Sequence, residues 1–293
     1  MNIQGIIPAL VTPFNDDHSV NYSALRALVN RLIDNGAGGF YVCGSTAECF
    51  LLSDAERMKV METVTEETNG RVPVIAHVGN ISTATAVEYA KHAASCGVSA
   101  VSSVPPFYYK YSLEEIGDYY ASISDAVDLP LIVYSIPAFS GVTVTADNLD
   151  KITGRCNAAG LKYTSYDLFE LEKIHRKYPD LKLFNGHDEV YLNALPIGLT
   201  GAIGSTFNIM PHRYISIKNA YESGDLQKAS ALQAETNEFI QTLISTGVNQ
   251  GVKYLLTKSG IPCGDCRPPF AKLDDSKKAL LDSIYERVLE PTL

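Results

Sequence analysis

The sequence predicts a (β/α)8 barrel with a C-terminal helical appendage, and three observations lead there. Short apolar runs rich in valine and isoleucine recur eight times between residues 6 and 204. Segments of helical period separate them, so strand and helix alternate about every 20 to 35 residues, the length of one βα unit. No glycine-rich dinucleotide fingerprint follows the first run, which favours a closed barrel over an open doubly wound sheet.

In chain order the strands are expected at residues 6–11, 39–42, 72–78, 99–104, 129–134, 158–162, 181–184 and 201–204. Their runs are unbroken because parallel strands are covered on both faces. The first helix, over residues 22–35, places Leu25, Leu28, Val29 and Leu32 on one stripe. The second, over 53–68, opens on Ser53 with Glu56 three residues on, the pattern of a capping box. Beyond the eighth strand, helical stretches fall at 211–223, 226–246, 249–259 and 275–289. The first completes the barrel, giving a catalytic barrel over 1–223 and a helical domain over 224–293. No low-complexity linker divides them, so the appendage is expected to pack on the barrel.

A chain of 293 residues with 46% hydrophobic and 19% charged residues can bury a large core, which excludes a disordered or fibrous protein. The net charge of -9 and the lack of a basic cluster argue against a nucleic-acid partner. No apolar stretch reaches the roughly 20 residues that span a bilayer, and no signal-peptide pattern opens the chain. A cytoplasmic protein without a membrane partner is expected. The six cysteines suit buried thiols better than a disulfide framework. Cys263 and Cys266 have metal-like spacing but lack a second pair, so no metal site is expected.

In such a barrel the chemistry lies at the carboxyl ends of the strands. The sixth run ends on Lys162, and a core strand does not carry an ammonium group unless the core opens there into a pocket. A partly desolvated amine sheds its proton more readily and becomes nucleophilic. A lone strand-end lysine more often snorkels to water. Tyr134 ends the fifth run and is the remaining proton carrier, although a barrel tyrosine alone is more often packing with a satisfied hydroxyl. His77 reads as a satisfied core residue. After the second strand, Gly44-Ser45-Thr46 offers backbone N–H groups and two hydroxyls, a cradle for a small carboxylate or an ordinary helix cap. The second Gly-Ser-Thr, at 204–206, carries the same ambiguity. Together these groups suit Schiff-base chemistry on a 2-oxo acid: Lys162 attacks the ketone and the iminium draws electrons from the neighbouring bond. That chemistry needs no metal and no cofactor beyond the Schiff base on Lys162.

The succession Gly44-Ser45-Thr46, Tyr134, Lys162 and Gly186-His187-Asp188-Glu189 resembles the N-acetylneuraminate lyase and dihydrodipicolinate synthase family over essentially the whole chain. Within it the similarity is greater to the members that cleave sialic acid. The resemblance implies a pyruvate-dependent lyase on a TIM barrel, usually a homotetramer. It implies Lys162 as the Schiff-base lysine, Tyr134 as acid/base, Ser45 and Thr46 as the pyruvate carboxylate site, and Tyr108 completing a neighbouring subunit's proton path. Thr164, Gly186, Asp188, Glu189 and Ser205 fall where the sugar tail is held. Adjacent carboxylates suit vicinal hydroxyls on chemical grounds as well. Ala47 replaces a family glycine and Ser135 a common asparagine. Phe139 stands where dihydrodipicolinate synthases carry an arginine for the partner's carboxylate, a contact no aromatic ring replaces.

The implied activity is reversible retro-aldol cleavage of sialic acid to pyruvate and N-acetylmannosamine. The alternatives are an aldolase or dehydratase acting on another sugar-derived 2-oxo acid, a dihydrodipicolinate synthase, a binding barrel without turnover, and a phosphate-recognising barrel using Gly204 to Thr206. The last lacks a basic residue beside the turn.

Overall fold

The computed structural model describes residues 3–289, so the ends of the two expected domain ranges, residues 1–2 and 290–293, lie outside the described residues. Eight short strands form the barrel: β1 (Gly5–Pro8), β2 (Phe40–Val42), β3 (Val74–His77), β4 (Ala100–Ser103), β5 (Leu131–Ser135), β6 (Ala158–Tyr163), β7 (Lys182–Asn185) and β8 (Gly201–Gly204). All pair in parallel in the order β1-β8-β7-β6-β5-β4-β3-β2. A parallel bridge from Ala9 to Tyr41 joins β1 to β2 and closes the ring.

The helices in chain order are α1 (Tyr22–Asp34), α2 (Asp54–Thr68), α3 (Thr83–Ser95), α4 (Leu113–Asp125), the short α5 (Pro137–Ser140) and α6 (Leu149–Thr153), α7 (Leu168–Lys177), the short α8 (Tyr191–Ala194), α9 (Pro211–Glu222), α10 (Leu226–Thr246), α11 (Val248–Lys258) and α12 (Asp275–Ile284). The capping box expected at Ser53 and Glu56 is present, and Ser112 with Glu115 makes another at the start of α4. The predicted stripe of α1 is buried. Most element boundaries differ by a residue or two from the sequence reading, and three differences bear on the site or the C-terminus. β1 leaves the ladder after Pro8, β6 runs one residue past Lys162, and residues 285–289 form a π-helical turn instead of continuing α12.

Alternation along the strands divides the core in two. Ile7, Tyr41, Ile75, Ala100, Ile132, Tyr134, Phe184 and Ile203 fill the barrel interior. Their outward neighbours, such as Val42, Val101, Val133, Leu161 and Leu183, pack under the helices. The interior is therefore packed with side chains up to the level of Tyr134.

The C-terminal helices brace two loops at the barrel mouth. On α10, the Gln233 amide donates to the Asp188 carbonyl at 3.2 Å and Asn237 donates to the Glu189 carbonyl at 3.1 Å. On α11, Lys253 forms a buried ion pair with Glu48 at 2.9 Å, just past the Gly44-Ser45-Thr46 turn. The main-chain N–H of Arg267 donates to the other Glu48 oxygen at 2.8 Å. No helix among the described residues is long and apolar enough to cross a membrane.

Candidate active site

Strand pairing places Tyr134 opposite Lys162. Both side chains are nearly buried, at 3% and 5% exposure, and the Lys162 Nζ lies 3.8 Å from the centre of the Tyr134 ring. It also lies 4.6 Å from the centre of the Tyr41 ring. No described carboxylate pairs with this lysine, so the aromatic faces are its close electrostatic partners. Tyr41 was not singled out in the sequence. The signal available was parity: it is the central residue of a three-residue strand, so it faces inward when its neighbours face out.

The turn after β2 is a tight 3-10 turn, Ser45–Ala47, with Ser45 partly exposed and Thr46 buried. A side chain at Gly44 would meet Tyr41 Cε1 at 2.6 Å, so glycine there lets the turn lie against the ring that faces the lysine. The left-handed backbone falls on Cys43 and Glu48, with φ of 59° and 56°, and not on residue 47. Alanine in place of the family glycine is thus unstrained, and its carbonyl accepts a 2.9 Å bond from Thr12 Oγ1. The Thr46 and Ser205 hydroxyls meet at 2.7 Å across 159 residues of sequence, so the two Gly-Ser-Thr turns form one polar wall. Ser205, expected at the sugar tail, touches the expected carboxylate cradle.

The ends of β6 and β7 and the loops after them hold polar atoms without protein partners. Thr164 Oγ1, Asn185 Oδ1 and Asp188 Oδ1 are buried and unpaired among the described residues. Thr164 lies two residues beyond Lys162 and continues its face of the strand. A side chain at Gly186 would collide with the Thr164 hydroxyl, and one at Gly204 with the Asp188 carboxylate. These glycines keep the wall open where the polar atoms gather.

Adjacent carboxylates on the loop after β7 are driven apart. Burial pushes Asp188 up to about 6, against the pull of the Thr206 hydroxyl and N–H, which donate to its Oδ2 at 2.7 and 3.0 Å. Burial also acts to raise Glu189, but bonds from His187 and Tyr166 outweigh it and hold the group down at about 2. The Tyr166 hydroxyl donates to Glu189 at 2.6 Å, and its ring stacks on His187 at 4.2 Å with planes 5° apart. Tyr166, too, was missed in the sequence; it follows the strand-end lysine by four residues in a loop with no motif to mark it.

His77 is buried, with Nδ1 against the Cys43 carbonyl at 2.9 Å and Nε2 accepting from the Val104 N–H at 3.3 Å. Burial and then the Arg57 charge push its pKa well down, so it is a neutral, satisfied core residue as expected. Tyr108 is 86% exposed, with φ of 80°, on the loop after β4. Phe139 is exposed on α5, immediately after the strand that carries Tyr134.

The model of the Dihydrodipicolinate synthetase family matches residues 2–287. The chain belongs to that family. It is 44% identical over 290 residues to the N-acetylneuraminate lyase of Salmonella typhimurium, covering 98% of both chains. Among solved structures it is similar to CdNal from Clostridium difficile, in complex with mannosamine, with a TM-score of 0.95 and 35% identity over 99% of this chain and 100% of that one. It is also similar to the N-acetylneuraminate lyase of Fusobacterium nucleatum complexed with pyruvate, with a TM-score of 0.93 and 34% identity over 98% of each chain.

Proposed function

We propose that this family member is a sialic acid aldolase, which cleaves N-acetylneuraminate reversibly to N-acetylmannosamine and pyruvate. Its 44% identity to an N-acetylneuraminate lyase along the chain supports the substrate. The single observation that carries the mechanism is the Lys162 amine lying 3.8 Å from the Tyr134 ring at the barrel mouth.

The Lys162 amine attacks the C2 ketone, and loss of water leaves a cationic iminium. Tyr134 takes the proton of the C4 hydroxyl as the C3–C4 bond breaks. The bonding pair moves into the iminium, giving an enamine and the aldehyde of N-acetylmannosamine. Protonation of the enamine at C3 and hydrolysis release pyruvate and the free lysine. The iminium is the electron sink, so these steps call for no metal ion and no organic cofactor.

Ser45 and Thr46 hold the substrate carboxylate through hydroxyl and backbone N–H groups. Ser45 is also assigned a catalytic part, relaying a proton to Tyr134. Thr164, Gly186, Asp188, Glu189 and Ser205 line the side that takes the polyhydroxylated tail, where the unpaired buried oxygens supply acceptors. Tyr108, exposed in the single chain, serves a neighbouring subunit of a homotetramer. The partners are small molecules, with neither nucleic acid nor membrane, and the location is the cytoplasm. The division into a barrel over 1–223 and helices over 224–293 belongs to the same reading.

Phe139 disfavours the dihydrodipicolinate synthase alternative, because an apolar ring offers no bidentate contact to a second carboxylate. The test is pyruvate release from N-acetylneuraminate beside a series of 2-keto-3-deoxy sugar acids, and consumption of pyruvate with aspartate semialdehyde. Preference for N-acetylneuraminate is expected. Faster turnover of another 2-oxo acid, or condensation with the semialdehyde, would overturn the substrate assignment.

A further inference from the structure

We infer that Tyr41 is a positioning residue whose ring face holds the nitrogen of Lys162 and stabilises its cationic iminium. The inference rests on the Schiff-base reading and adds to it a residue to which neither the motifs nor the resemblance gives a role.

No described carboxylate forms an ion pair with this lysine, although its charge reaches the Asp188 carboxyl. The lysine is nearly buried, and its nitrogen lies over the faces of Tyr41 and Tyr134. An aromatic face attracts a cation through its quadrupole, and the attraction grows when water is excluded. The two rings stand edge to face, with centres 6.0 Å apart and planes at 85°, so they present different surfaces to one nitrogen.

Their hydroxyls are committed differently. Tyr41 is fully buried, and its hydroxyl donates to Ser102 Oγ at 3.0 Å, which in turn donates to the Ile132 carbonyl at 2.8 Å. That chain leads into the barrel floor, so Tyr41 brings its ring to the reaction and not its proton. No described residue binds the Tyr134 hydroxyl, which is left to the substrate. The Tyr41 ring also packs on Gly44, at the start of the carboxylate turn. One rigid side chain therefore sets the spacing between the nitrogen that attacks C2 and the cradle for the carboxylate bonded to C2.

The charge on nitrogen follows the reaction. Attack of the neutral amine forms the N–C bond, the carbonyl oxygen departs as water, and the nitrogen becomes cationic. Cleavage of C3–C4 delivers an electron pair and discharges it in the enamine, and protonation at C3 restores it. A fixed aromatic face favours the iminium over the neutral carbinolamine that precedes it, so it assists formation of the Schiff base and not the cleavage that discharges the nitrogen.

The test replaces the ring without removing its shape. Tyr41→Phe keeps the face and loses the Ser102 bond; Tyr41→pentafluorophenylalanine keeps nearly the same volume and reverses the quadrupole; Tyr41→Met removes the ring. Each variant is incubated with pyruvate and borohydride, and the rate of labelling at Lys162 is followed by mass spectrometry, together with kcat and KM for N-acetylneuraminate. The Phe variant is expected within about threefold of wild type, and the fluorinated and Met variants about 10- to 30-fold slower in labelling, from the worth of a desolvated cation–π contact, with kcat changed less than labelling. Labelling by the fluorinated variant as fast as by the Phe variant would overturn the inference, as would an equal loss in all three. Should the Met variant not fold, the comparison of Phe with its fluorinated counterpart still decides. An unlabelled Lys162 in wild type would remove the Schiff-base reading itself, a result distinct from failure of the Tyr41 inference alone.

Discussion

Replacing Asp188 with asparagine is expected to shift stability in favour of the variant, relative to wild type, as pH rises from about 4.5 to 8. The carboxyl is pushed by burial from its ordinary 3.8 to about 6. A group raised in the folded state contributes stability that is full below its unfolded value and is lost as pH rises through the folded one. The difference, 6 - 3.8, is worth about 3 kcal/mol once both states are ionised. Between about pH 4.5 and pH 8, about 2 kcal/mol of this develops. In the Asn variant the side-chain oxygen still accepts from both Thr206 donors, while its amide faces Gly204 without an acceptor. That second cost is independent of pH, so it cancels when the wild-type-to-variant gap is compared at two pH values. Thermal melts at both values give the comparison, and the gap should move by about 3 °C in favour of the variant at the higher pH. A gap unchanged between the two, or one that moves the other way, would refute the burial argument. The same variant should raise KM for N-acetylneuraminate while leaving borohydride labelling by pyruvate intact, since it alters the tail side and not the lysine.

Two further variants separate chemistry from scaffolding. Tyr134→Phe keeps the ring over Lys162 and removes the proton carrier, so kcat should fall by about 10²- to 10⁴-fold in steady-state pyruvate release while labelling of Lys162 persists. Glu48→Gln strands the Lys253 ammonium in a site where both side chains are about 1% exposed or less, and should cost about 3–5 kcal/mol in urea unfolding. Adding Lys253→Met should recover most of that loss, because a neutral pair leaves no buried charge uncompensated.

The strands were legible because each is covered on both sides and reads as a continuous apolar run bounded by polar turns. Position along the strand then brought Tyr134 and Lys162 to one place without any knowledge of the sheet, and the register opposite one another agrees. What the sequence could not show are contacts created by closing the ring. Thr46 meets Ser205 only because β8 returns beside β1, which is bridged to β2. Glu48 finds Lys253 across 205 residues, and Gln233 braces Asp188 from a helix whose sequence reads as an ordinary amphipathic segment. Tyr41 was hidden for another reason: in a run of buried apolar residues an aromatic reads as packing, and only the lysine above it gives its face a chemical use. The contrasting states of Asp188 and Glu189 were equally invisible, since neighbours in sequence point into different surroundings, one sealed against Thr206 and one bonded to Tyr166 and His187.

The proposed chemistry depends on a covalent bond between the substrate ketone and the amine at the end of the sixth strand. The most direct measurement is peptide mapping of the protein after borohydride reduction in the presence of pyruvate, with Lys162→Ala treated in parallel. One reduced pyruvyl adduct is expected on Lys162 and, in the variant, neither adduct nor pyruvate release from N-acetylneuraminate. An adduct on another lysine, or turnover surviving in the variant, would contradict that chemistry.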